Sequence, residues 1–293
     1  MKIGIFGKSI NSDFISSLNN IFNALKCRNC EVWLYHPFSD YLKEKYNLCP
    51  DVKFYFSDSS DLDKSLDLLF SIGGDGTFLE AASLVHDTGL PIVGINSGRL
   101  GFLADISQSE IGFALEQILD GKYLIEERSL VEIIEPEGKF GNCNYALNEV
   151  TFHKMDSSSM ITIHAYLNNV YLNTYWADGL IISTPTGSTA YSLSVGGPIV
   201  SPDSSIFILS PIASHNLTVR PFVIPDHNEL MFEIEGRGEH FLTSLDSRSS
   251  VMTVNTRIRL RKADFKLRVI KLREHDFYST LRNKLMWGAD KRN

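Results

Sequence analysis

The chain has 293 residues, of which 43% are hydrophobic and 22% are charged, and its formal net charge is −7. This composition is typical of globular proteins and excludes a disordered chain, while the length favours about two domains. The negative charge argues against a nucleic acid or an anionic membrane as the partner, and we expect neither.

The cellular compartment can be predicted from the distribution of apolar residues and cysteines. No apolar run approaches the ~18 residues of a membrane span, and the apolar stretch at the N-terminus is too short for a signal peptide. The four cysteines are too few for a disulfide-bonded scaffold. These features predict a cytoplasmic protein.

The first 125 residues alternate between strand-like and helix-like segments. Strands are predicted at residues 2–6, 31–35, 53–56, 66–72 and 91–95. Helical spacing of apolar residues occurs over 14–25 and 78–86, and a capping box at Ser107 and Glu110 begins a helix that ends near Leu119. This alternation predicts a doubly wound α/β domain with a parallel sheet.

The pattern changes near residue 125 to a series of short strands. These are predicted at residues 131–134, 146–152, 160–167, 170–175, 180–183, 230–234, 240–245, 251–254, 257–260 and 266–270. Alternation of Ile161, Ile163 and Ala165 with polar neighbours is typical of a half-exposed strand. We therefore expect a β-rich domain over 126–270, and a C-terminal helix in the tail 271–293, which joins the α/β domain of 1–125.

The segment Ser71-Ile72-Gly73-Gly74-Asp75-Gly76-Thr77 lies between a predicted strand and a predicted helix. Glycines let a ligand approach the backbone, and free N–H groups at a helix start favour phosphate oxygens. Asp75 then lies at the carboxyl end of a strand, where open α/β sheets bind ligands, and it could accept a hydroxyl proton or hold a metal. The spacing of Thr77 and Glu80 predicts a capping box for this helix. The alternative is a tight turn in which Asp75 has no chemical role.

Two other motifs lack the spacing that their chemistry requires. Residues 4–9 end in Gly-Lys-Ser like a P-loop, but only two residues separate the glycines instead of four. Cys27 and Cys30 form a CxxC pair, but Cys49 and Cys143 are single, so no second pair completes a metal site. We expect incidental thiols and no protein-bound metal here.

Residues 177–198 are rich in glycine and in small hydroxyl side chains, with Tyr191 as the one aromatic residue between Asp178 and Pro198. Such a segment offers many N–H and O–H donors for phosphates and sugar hydroxyls. Tyr191 could stack on a flat ring. The alternative is a Ser/Thr-rich turn without a ligand.

Three motifs in this order, namely Gly-Gly-Asp-Gly at 73–76, Asn148-Glu149 and the stretch 178–197, resemble those of the NAD kinase family. The resemblance covers nearly the whole chain. The first motif is also found in lipid kinases of the diacylglycerol kinase type, and phosphofructokinases carry a close relative of it. The Thr-Pro-Thr-Gly-Ser-Thr-Ala-Tyr run at 184–191 is much more specific to NAD kinases.

The resemblance implies transfer of the γ-phosphoryl group of ATP to the 2′-hydroxyl of the adenosine ribose of NAD. Asp75 would be the proton acceptor, and a divalent cation, usually Mg²⁺, would bridge ATP oxygens. A homodimer or homotetramer is expected. Gly76, Asn148 and Glu149 would contact the dinucleotide or its ribose hydroxyls. The remaining binding residues implied by the family are Asp178, Thr186, Thr189, Ala190, Tyr191, Ser192, Leu193, Ser194 and Ala213.

Three positions depart from the family pattern or match it weakly. Trp176 replaces a residue that is often polar or basic, and its indole could stack instead. Arg248 stands where many relatives have Gln, and it has donors only. Ser159 is a weaker candidate of the same kind. A lipid or sugar kinase that shares the GGDGT motif, and a non-catalytic NAD(P) sensor, remain as alternatives.

Overall fold

The computed structural model describes residues 1–62, 65–155 and 159–288, and it divides the chain into two units. Met1–Glu127 and the C-terminal residues from Leu267 onward form the α/β unit, and Arg128–Lys266 forms the β-rich unit. The junctions therefore lie at 127/128 and 266/267, close to the expected 125/126 and 270/271.

The elements are numbered in chain order. The strands are β1 Lys2–Gly7, β2 Glu31–Tyr35, β3 Phe54–Phe56, β4 Leu68–Gly73, β5 Ile92–Asn96, β6 Tyr123–Arg128, β7 Val131–Glu135, β8 Tyr145–Ala146, β9 Glu149–Lys154, β10 Ile161–Leu167, β11 Val170–Ala177, β12 Gly179–Ser183, β13 Ile206–Ile212, β14 Phe222–Pro225, β15 Leu230–Glu235, β16 His240–Leu245, β17 Arg248–Thr253, β18 Arg257–Lys262 and β19 Leu267–Leu272. The α-helices are α1 Ile15–Cys27, α2 His36–Tyr46, α3 Asp75–Val85, α4 Ile111–Leu119, α5 Tyr191–Ser194 and α6 Phe277–Leu285. Short 3₁₀ turns cover Ser12–Phe14, Ser59–Asp61, Gln108–Glu110 and Thr186–Thr189.

The α/β unit contains one sheet with the spatial order β3-β2-β1-β4-β5-β19-β6. Strands β1 to β5 pair in parallel, as the alternating pattern predicted. The chain moves from β1 to β2 on one side, and β4 lies on the other side of β1. This reversal is a topological switch point, and open α/β sheets bind ligands beyond the carboxyl ends of the strands at such a point.

Strand β19 belongs to the parallel sheet, next to β5. The sequence pattern placed residues 266–270 among the strands of the β-rich domain, and that placement was wrong. Leu267, Val269 and Ile270 are buried, so the apolar pattern predicted a strand correctly. Such a pattern does not specify which sheet the strand joins, because the pairing partner is distant in sequence.

The β-rich unit is a sandwich of two antiparallel sheets, ordered β11-β10-β15-β18-β7-β8 and β14-β13-β12-β9-β16-β17. Its core lies between them, where Phe152 of β9 contacts Phe232 of β15 with ring centroids 5.1 Å apart. Ile161, Ile163 and Ala165 are buried while the intervening residues are half-exposed, which confirms the predicted alternation.

Other local expectations differ from the structure in informative ways. Helix α2 was not predicted, because Phe38 and Leu42 are its only buried residues and give no long apolar periodicity. Helix α3 begins at Asp75 with Gly74 as N-cap and no side-chain cap, so the capping box expected at Thr77 is absent. The capping box at Ser107 and Glu110 is present as predicted.

No helix in the described ranges is long and apolar enough to cross a lipid bilayer.

Candidate functional site

Asp75 is the first residue of α3 and lies just beyond the carboxyl end of the buried strand β4. Its carboxylate accepts three backbone hydrogen bonds from the segment that follows β5. The N–H of Phe102 donates to Oδ2 at 2.9 Å, and the N–H groups of Leu103 and Ala104 donate to Oδ1, both at 3.0 Å. These bonds limit the orientations that the carboxyl group can adopt.

Gly101 permits this arrangement because it lies against the carboxylate of Asp75. A Cβ atom built on Gly101 would overlap Oδ1 of Asp75, so a larger residue would displace either the segment or the carboxylate. Asn96 holds the same segment: its Oδ1 accepts from the N–H of Gly98 at 2.7 Å, and its Nδ2 donates to the carbonyl of Arg99 at 2.6 Å.

Lys284 of α6 brings a positive charge to Asp75. Its Nζ lies 3.4 Å from Oδ2 of Asp75 and 4.4 Å from the centroid of the Phe102 ring. The two charged side chains are each about a third exposed, at 30% for Lys284 and 31% for Asp75. Oδ1 of Asp75 therefore has two backbone donors, whereas Oδ2 has one backbone donor and the ammonium group.

A cavity of about 230 Å³ lies at the switch point of the α/β unit. Its lining comes from the end of β1, the Gly74 turn, the end of β5 and helix α2, with Ser9, Ile10, Asn11, Tyr41, Lys45, Gly74, Asn96, Ser97, Gly98 and Arg99. Lys45 and Arg99 are cationic. The exposed guanidinium of Arg99 has no side-chain partner among the residues that the structure describes. The cavity thus combines positive charge with the N-terminus of α3, a combination that suits an anion.

In the β-rich unit, Asp246 anchors the segment that contains Asn148 and Glu149. Its carboxylate accepts hydrogen bonds from the N–H groups of Leu147 at 2.8 Å, Asn148 at 2.8 Å and Glu149 at 3.1 Å. Asp246 lies in the turn between β16 and β17 with a φ of 53°, in the left-handed region that Asp and Asn tolerate better than most residues. The turn between β16 and β17, which is distant in sequence, therefore holds Asn148 and Glu149 in position.

The carboxyl group of Glu149 is buried, and its Oε2 has no hydrogen-bond partner in the described part of the protein. Burial raises the pKa of Glu149 to about 8, and the charge of Asp246 adds to the rise. Burial also raises the pKa of Asp246, against the opposing effect of its three N–H donors and of Arg248. At neutral pH we therefore expect Glu149 to carry a proton that it can donate to a ligand.

The segment that begins at Ser183 is packed against the backbone of Leu147 and Asn148. The hydroxyl of Thr184 donates to the carbonyl of Leu147 at 2.5 Å, and the N–H of Thr184 donates to the carbonyl of Asn148 at 2.9 Å. A Cβ atom on Gly187 would overlap that same Asn148 carbonyl, so this approach requires glycine. These contacts thus hold Asn148 and the Ser/Thr-rich segment in fixed positions relative to each other.

The predicted contact residues of this segment differ in accessibility. Thr186 and Ser192 are buried, and the Ser192 hydroxyl lies 3.1 Å from that of Ser210, so Ser192 serves the internal structure. Tyr191 is 40% exposed and Ser194 is exposed. Thr189, Ala190 and Leu193 are half-exposed, and the Thr189 hydroxyl donates to the carbonyl of Thr186. The segment forms a 3₁₀ turn and the short helix α5 instead of an open loop.

Trp176, Asp178 and Ala213 are brought together by backbone pairing. The N–H of Asp178 donates to the carbonyl of Ile212, and the N–H of His215 donates to the carbonyl of Trp176. Ala213 is exposed with a φ of 46°, which is uncommon for a residue with a side chain and is found more often at functional sites. Trp176 is 51% exposed, and Asp178 forms an ion pair of 2.6 Å with Lys154.

Three other predicted residues lie in less distinctive surroundings. The guanidinium of Arg248 donates to the backbone carbonyls of Cys143 and Tyr145 and lies 5.7 Å from the Tyr145 ring centroid. Both of its terminal nitrogens thus donate to the protein backbone. Ser159 is half-exposed, with no side-chain contact recorded among the described residues. Gly76 lies in the first turn of α3, where the space around a Cβ atom is open.

The anchoring role of Asp246 and the cations Lys284, Lys45 and Arg99 near the site were not predicted from the sequence. Asp246 occupies a turn, where an Asp is ordinarily explained by turn formation. The other three are single cations in otherwise unremarkable segments. Only the order of the strands could have indicated Arg99, since it follows the strand next to β4.

Comparison with known proteins identifies the family. Residues 3–123 match the model of the ATP-NAD kinase N-terminal domain, and residues 147–272 match that of the ATP-NAD kinase C-terminal domain. The NAD kinase of Cytophaga hutchinsonii is 44% identical over 293 residues, and that of Flavobacterium johnsoniae is 46% identical over 295 residues. Both alignments cover 100% of this chain and 100% of the relative.

Two solved structures share the fold. A yeast NADH kinase complexed with NADH aligns with a TM-score of 0.86 at 22% identity, over 99% of this chain and 89% of that chain. An NAD kinase from Archaeoglobus fulgidus in complex with ATP aligns with a TM-score of 0.77 at 23% identity, over 98% and 99% of the two chains. Together with the family matches, these findings favour phosphorylation of NAD over the lipid or sugar kinase alternative. The chain belongs to the ATP-NAD kinase family, and it is an enzyme that phosphorylates NAD.

Proposed function

We propose that Asp75 is the general base of this phosphoryl transfer. The oxygen of the 2′-hydroxyl of the adenosine ribose of NAD forms a bond to the γ-phosphorus of ATP, and the bond from that phosphorus to the β,γ-bridging oxygen breaks. The hydroxyl proton passes to Asp75, and ADP leaves. The observation that carries this role is a fixed, partly exposed carboxylate beside a phosphate-binding turn.

Oδ2 is the oxygen of Asp75 that we assign as the proton acceptor. Oδ1 accepts two backbone hydrogen bonds of 3.0 Å, whereas Oδ2 accepts one backbone hydrogen bond and a longer one, of 3.4 Å, from the ammonium group of Lys284. Because a carboxylate oxygen has two lone pairs in the carboxyl plane, the long contact with Lys284 leaves the second lone pair of Oδ2 more weakly engaged than either lone pair of Oδ1.

The triphosphate chain of ATP is proposed to bind in the cavity at the switch point. Lys45 and Arg99 line this cavity, and the N-terminus of α3 follows Gly74, another of its lining residues. Positive groups beside the phosphate oxygens stabilise the charge of a loose phosphoryl-transfer transition state. The size of the cavity, about 230 Å³, suits part of a nucleotide such as its phosphate chain.

The divalent cation is proposed to arrive with ATP as part of the MgATP substrate. No three His, Cys, Asp or Glu side chains come together as a metal site within the described ranges. The one carboxylate at the phosphate-binding turn, Asp75, is already engaged by backbone N–H groups and Lys284. These residues do not fit a resident Mg²⁺ site, so the cation would be held mainly by phosphate oxygens and water.

The β-rich unit is proposed to be the NAD-binding domain. A protonated Glu149 would donate a hydrogen bond to a ribose oxygen, and Asn148 would provide both a donor and an acceptor. Tyr191 would stack on a ring of NAD. The other proposed binding residues are Gly76, Trp176, Asp178, Thr189, Ala190, Leu193, Ser194 and Ala213, with Thr186 and Ser192 holding the segment in shape.

A cytoplasmic location and a homodimeric or homotetrameric assembly belong to the same proposal. None of the four cysteines forms a disulfide in the structure, as is usual in a reducing compartment. Neither a nucleic acid nor a membrane is proposed as a partner, in keeping with the net charge of −7.

A crossed assay tests the proposed function. The purified protein is incubated with Mg²⁺ and either ATP or inorganic polyphosphate, together with NAD, NADH or diacylglycerol. We expect NADP from ATP and NAD, with the new phosphate on the 2′-oxygen. Transfer of labelled phosphate from ATP to diacylglycerol would identify a lipid kinase instead. Tight NAD binding without turnover would identify a sensor.

A further inference from the structure

Lys284 is presented to Asp75 by a helix that is firmly attached to the α/β unit. The side chain of Asp276 caps α6 by accepting a hydrogen bond from the N–H of Ser279 at 2.7 Å. Leu281 is 2% exposed and fixes the helix to the core. Lys284 follows Leu281 by three residues, so the two side chains extend from the same side of the helix.

Phe102 connects α6 to the carboxylate in three ways. Its N–H donates to Oδ2 of Asp75, and its ring lies under the ammonium group of Lys284, 4.4 Å from Nζ. The same ring contacts Phe277, the first residue of α6, with centroids 6.4 Å apart. Lys284, Phe102 and Asp75 thus form one contact group, in which the side chain of Lys284 is held on an aromatic surface.

We propose that Lys284 is a positioning residue for phosphoryl transfer, and that it acts by holding Oδ2 of Asp75 in the orientation that accepts the hydroxyl proton. This proposal rests on the role of Asp75 proposed above. The ammonium group lies beside Oδ2, the oxygen that has a single backbone donor, and it balances the charge of the carboxylate before NAD binds.

The geometry of the pair argues against a role in stability alone. Each side chain is about a third exposed, and the N–O distance of 3.4 Å is long for an ion pair. Partly exposed pairs of this kind contribute little to the stability of a protein. Loss of the pair should therefore leave the melting temperature nearly unchanged while the reaction rate falls.

The test compares Lys284→Met with Lys284→Arg and with a matched control on the same helix, Arg282→Met. Arg282 is exposed, and no side-chain partner is recorded for it in the described part of the chain. For Lys284→Met we expect kcat to fall about tenfold or more, because the proton acceptor is less well oriented. The KM for NAD and the melting temperature should stay close to those of Arg282→Met, and Lys284→Arg should recover most of the rate.

A double-mutant cycle shows whether Lys284 acts through Asp75. On the Asp75→Asn background, Lys284→Met should cause no further loss of kcat, since residues that act as a unit have non-additive effects. The proposal is overturned if the loss is the same on both backgrounds, or if Lys284→Met has the kcat of Arg282→Met. If Asp75→Asn alone keeps the original rate, the role proposed for Asp75 fails, and that result is visible without the lysine variants.

Discussion

The carboxylate of Asp246 accepts a hydrogen bond from the backbone N–H of Glu149 at 3.1 Å, while the carboxyl group of Glu149 itself is buried next to that charge. Two acidic residues thus share one polar region but differ in their partners. Asp246 has three backbone donors, and Oε2 of Glu149 has no hydrogen-bond partner in the described structure. This asymmetry favours the protonated state for Glu149.

The raised pKa of Glu149 predicts a specific dependence of stability on pH. In the unfolded chain its pKa is near the ordinary 4.5, and in the folded protein it is about 8. Between these values the folded state binds a proton that the unfolded state has released, so the contribution of Glu149 to stability falls as the pH rises, and it is constant above the folded pKa. Glu149→Gln removes this dependence.

We compare the melting temperatures of Glu149→Gln and the unmodified protein at each pH. The difference, variant minus unmodified protein, should therefore become more positive between pH 5 and pH 8.5. Because one pKa unit corresponds to about 1.4 kcal/mol, the change should amount to several degrees. Glu239→Gln, at an exposed position of the same unit, is the matched control. A pH-independent difference for Glu149→Gln would show that Glu149 is ionised in the folded protein.

Gly74→Ala separates ligand binding from folding. Gly74 has a φ of −99°, which other residues adopt, and no atom lies within 4 Å of the position of a new Cβ. We expect an unchanged melting temperature and weaker ATP binding, since the methyl group would occupy space next to the phosphate-binding turn. Gly101→Ala is the contrasting variant, because its Cβ would overlap Asp75 and should reduce kcat as well. Unchanged ATP affinity in Gly74→Ala would contradict the phosphate site.

Arg99→Met tests whether the cavity at the switch point binds the triphosphate chain of ATP. Removing this cation should raise the KM for ATP about tenfold, as expected for a charge-assisted contact, and should leave the KM for NAD close to its original value. Lys43→Met, on an exposed position of α2, provides the control for a lost surface charge. Equal increases in both KM values, or none, would mean that Arg99 does not bind the phosphate chain.

Tyr191→Ala tests the ring-stacking role in the β-rich unit. A stacked ring contributes roughly 0.5–1.5 kcal/mol beyond its buried area, so the Kd for NAD should increase by about tenfold or more. Tyr191 is 40% exposed, and the fold should tolerate its loss. Isothermal titration with NAD measures the change, and Tyr191→Phe should keep most of the affinity if stacking dominates. An unchanged Kd in Tyr191→Ala would remove this helix from the proposed site.

Local patterns predicted much of the fold. The alternation at Ile161, Ile163 and Ala165 corresponds to β10, and the tail spacing of Phe277 and Leu285 corresponds to α6. These predictions succeeded because burial of one face imposes a period on the sequence. The position of Asp75 at the end of β4 followed from an apolar run that ends in glycines.

The features that sequence analysis missed depend on contacts between distant residues. The pair of Asp75 and Lys284 joins residues 209 positions apart, and nothing in the sequence around Lys284 indicates its partner. Arg248 was considered for a nucleotide contact, but both of its terminal nitrogens donate to backbone carbonyls about a hundred residues away. Local spacing cannot predict how a side chain divides its hydrogen bonds between the protein and a ligand.

Asp75→Asn gives the most direct test of the mechanism. The amide retains the shape of the carboxyl group but cannot accept the hydroxyl proton, so kcat for NADP formation should fall by at least ~10²-fold. Isothermal titration should show NAD affinity close to that of the unmodified protein. A fall in kcat of less than about tenfold, with NAD binding intact, would contradict the assignment of Asp75 as the general base.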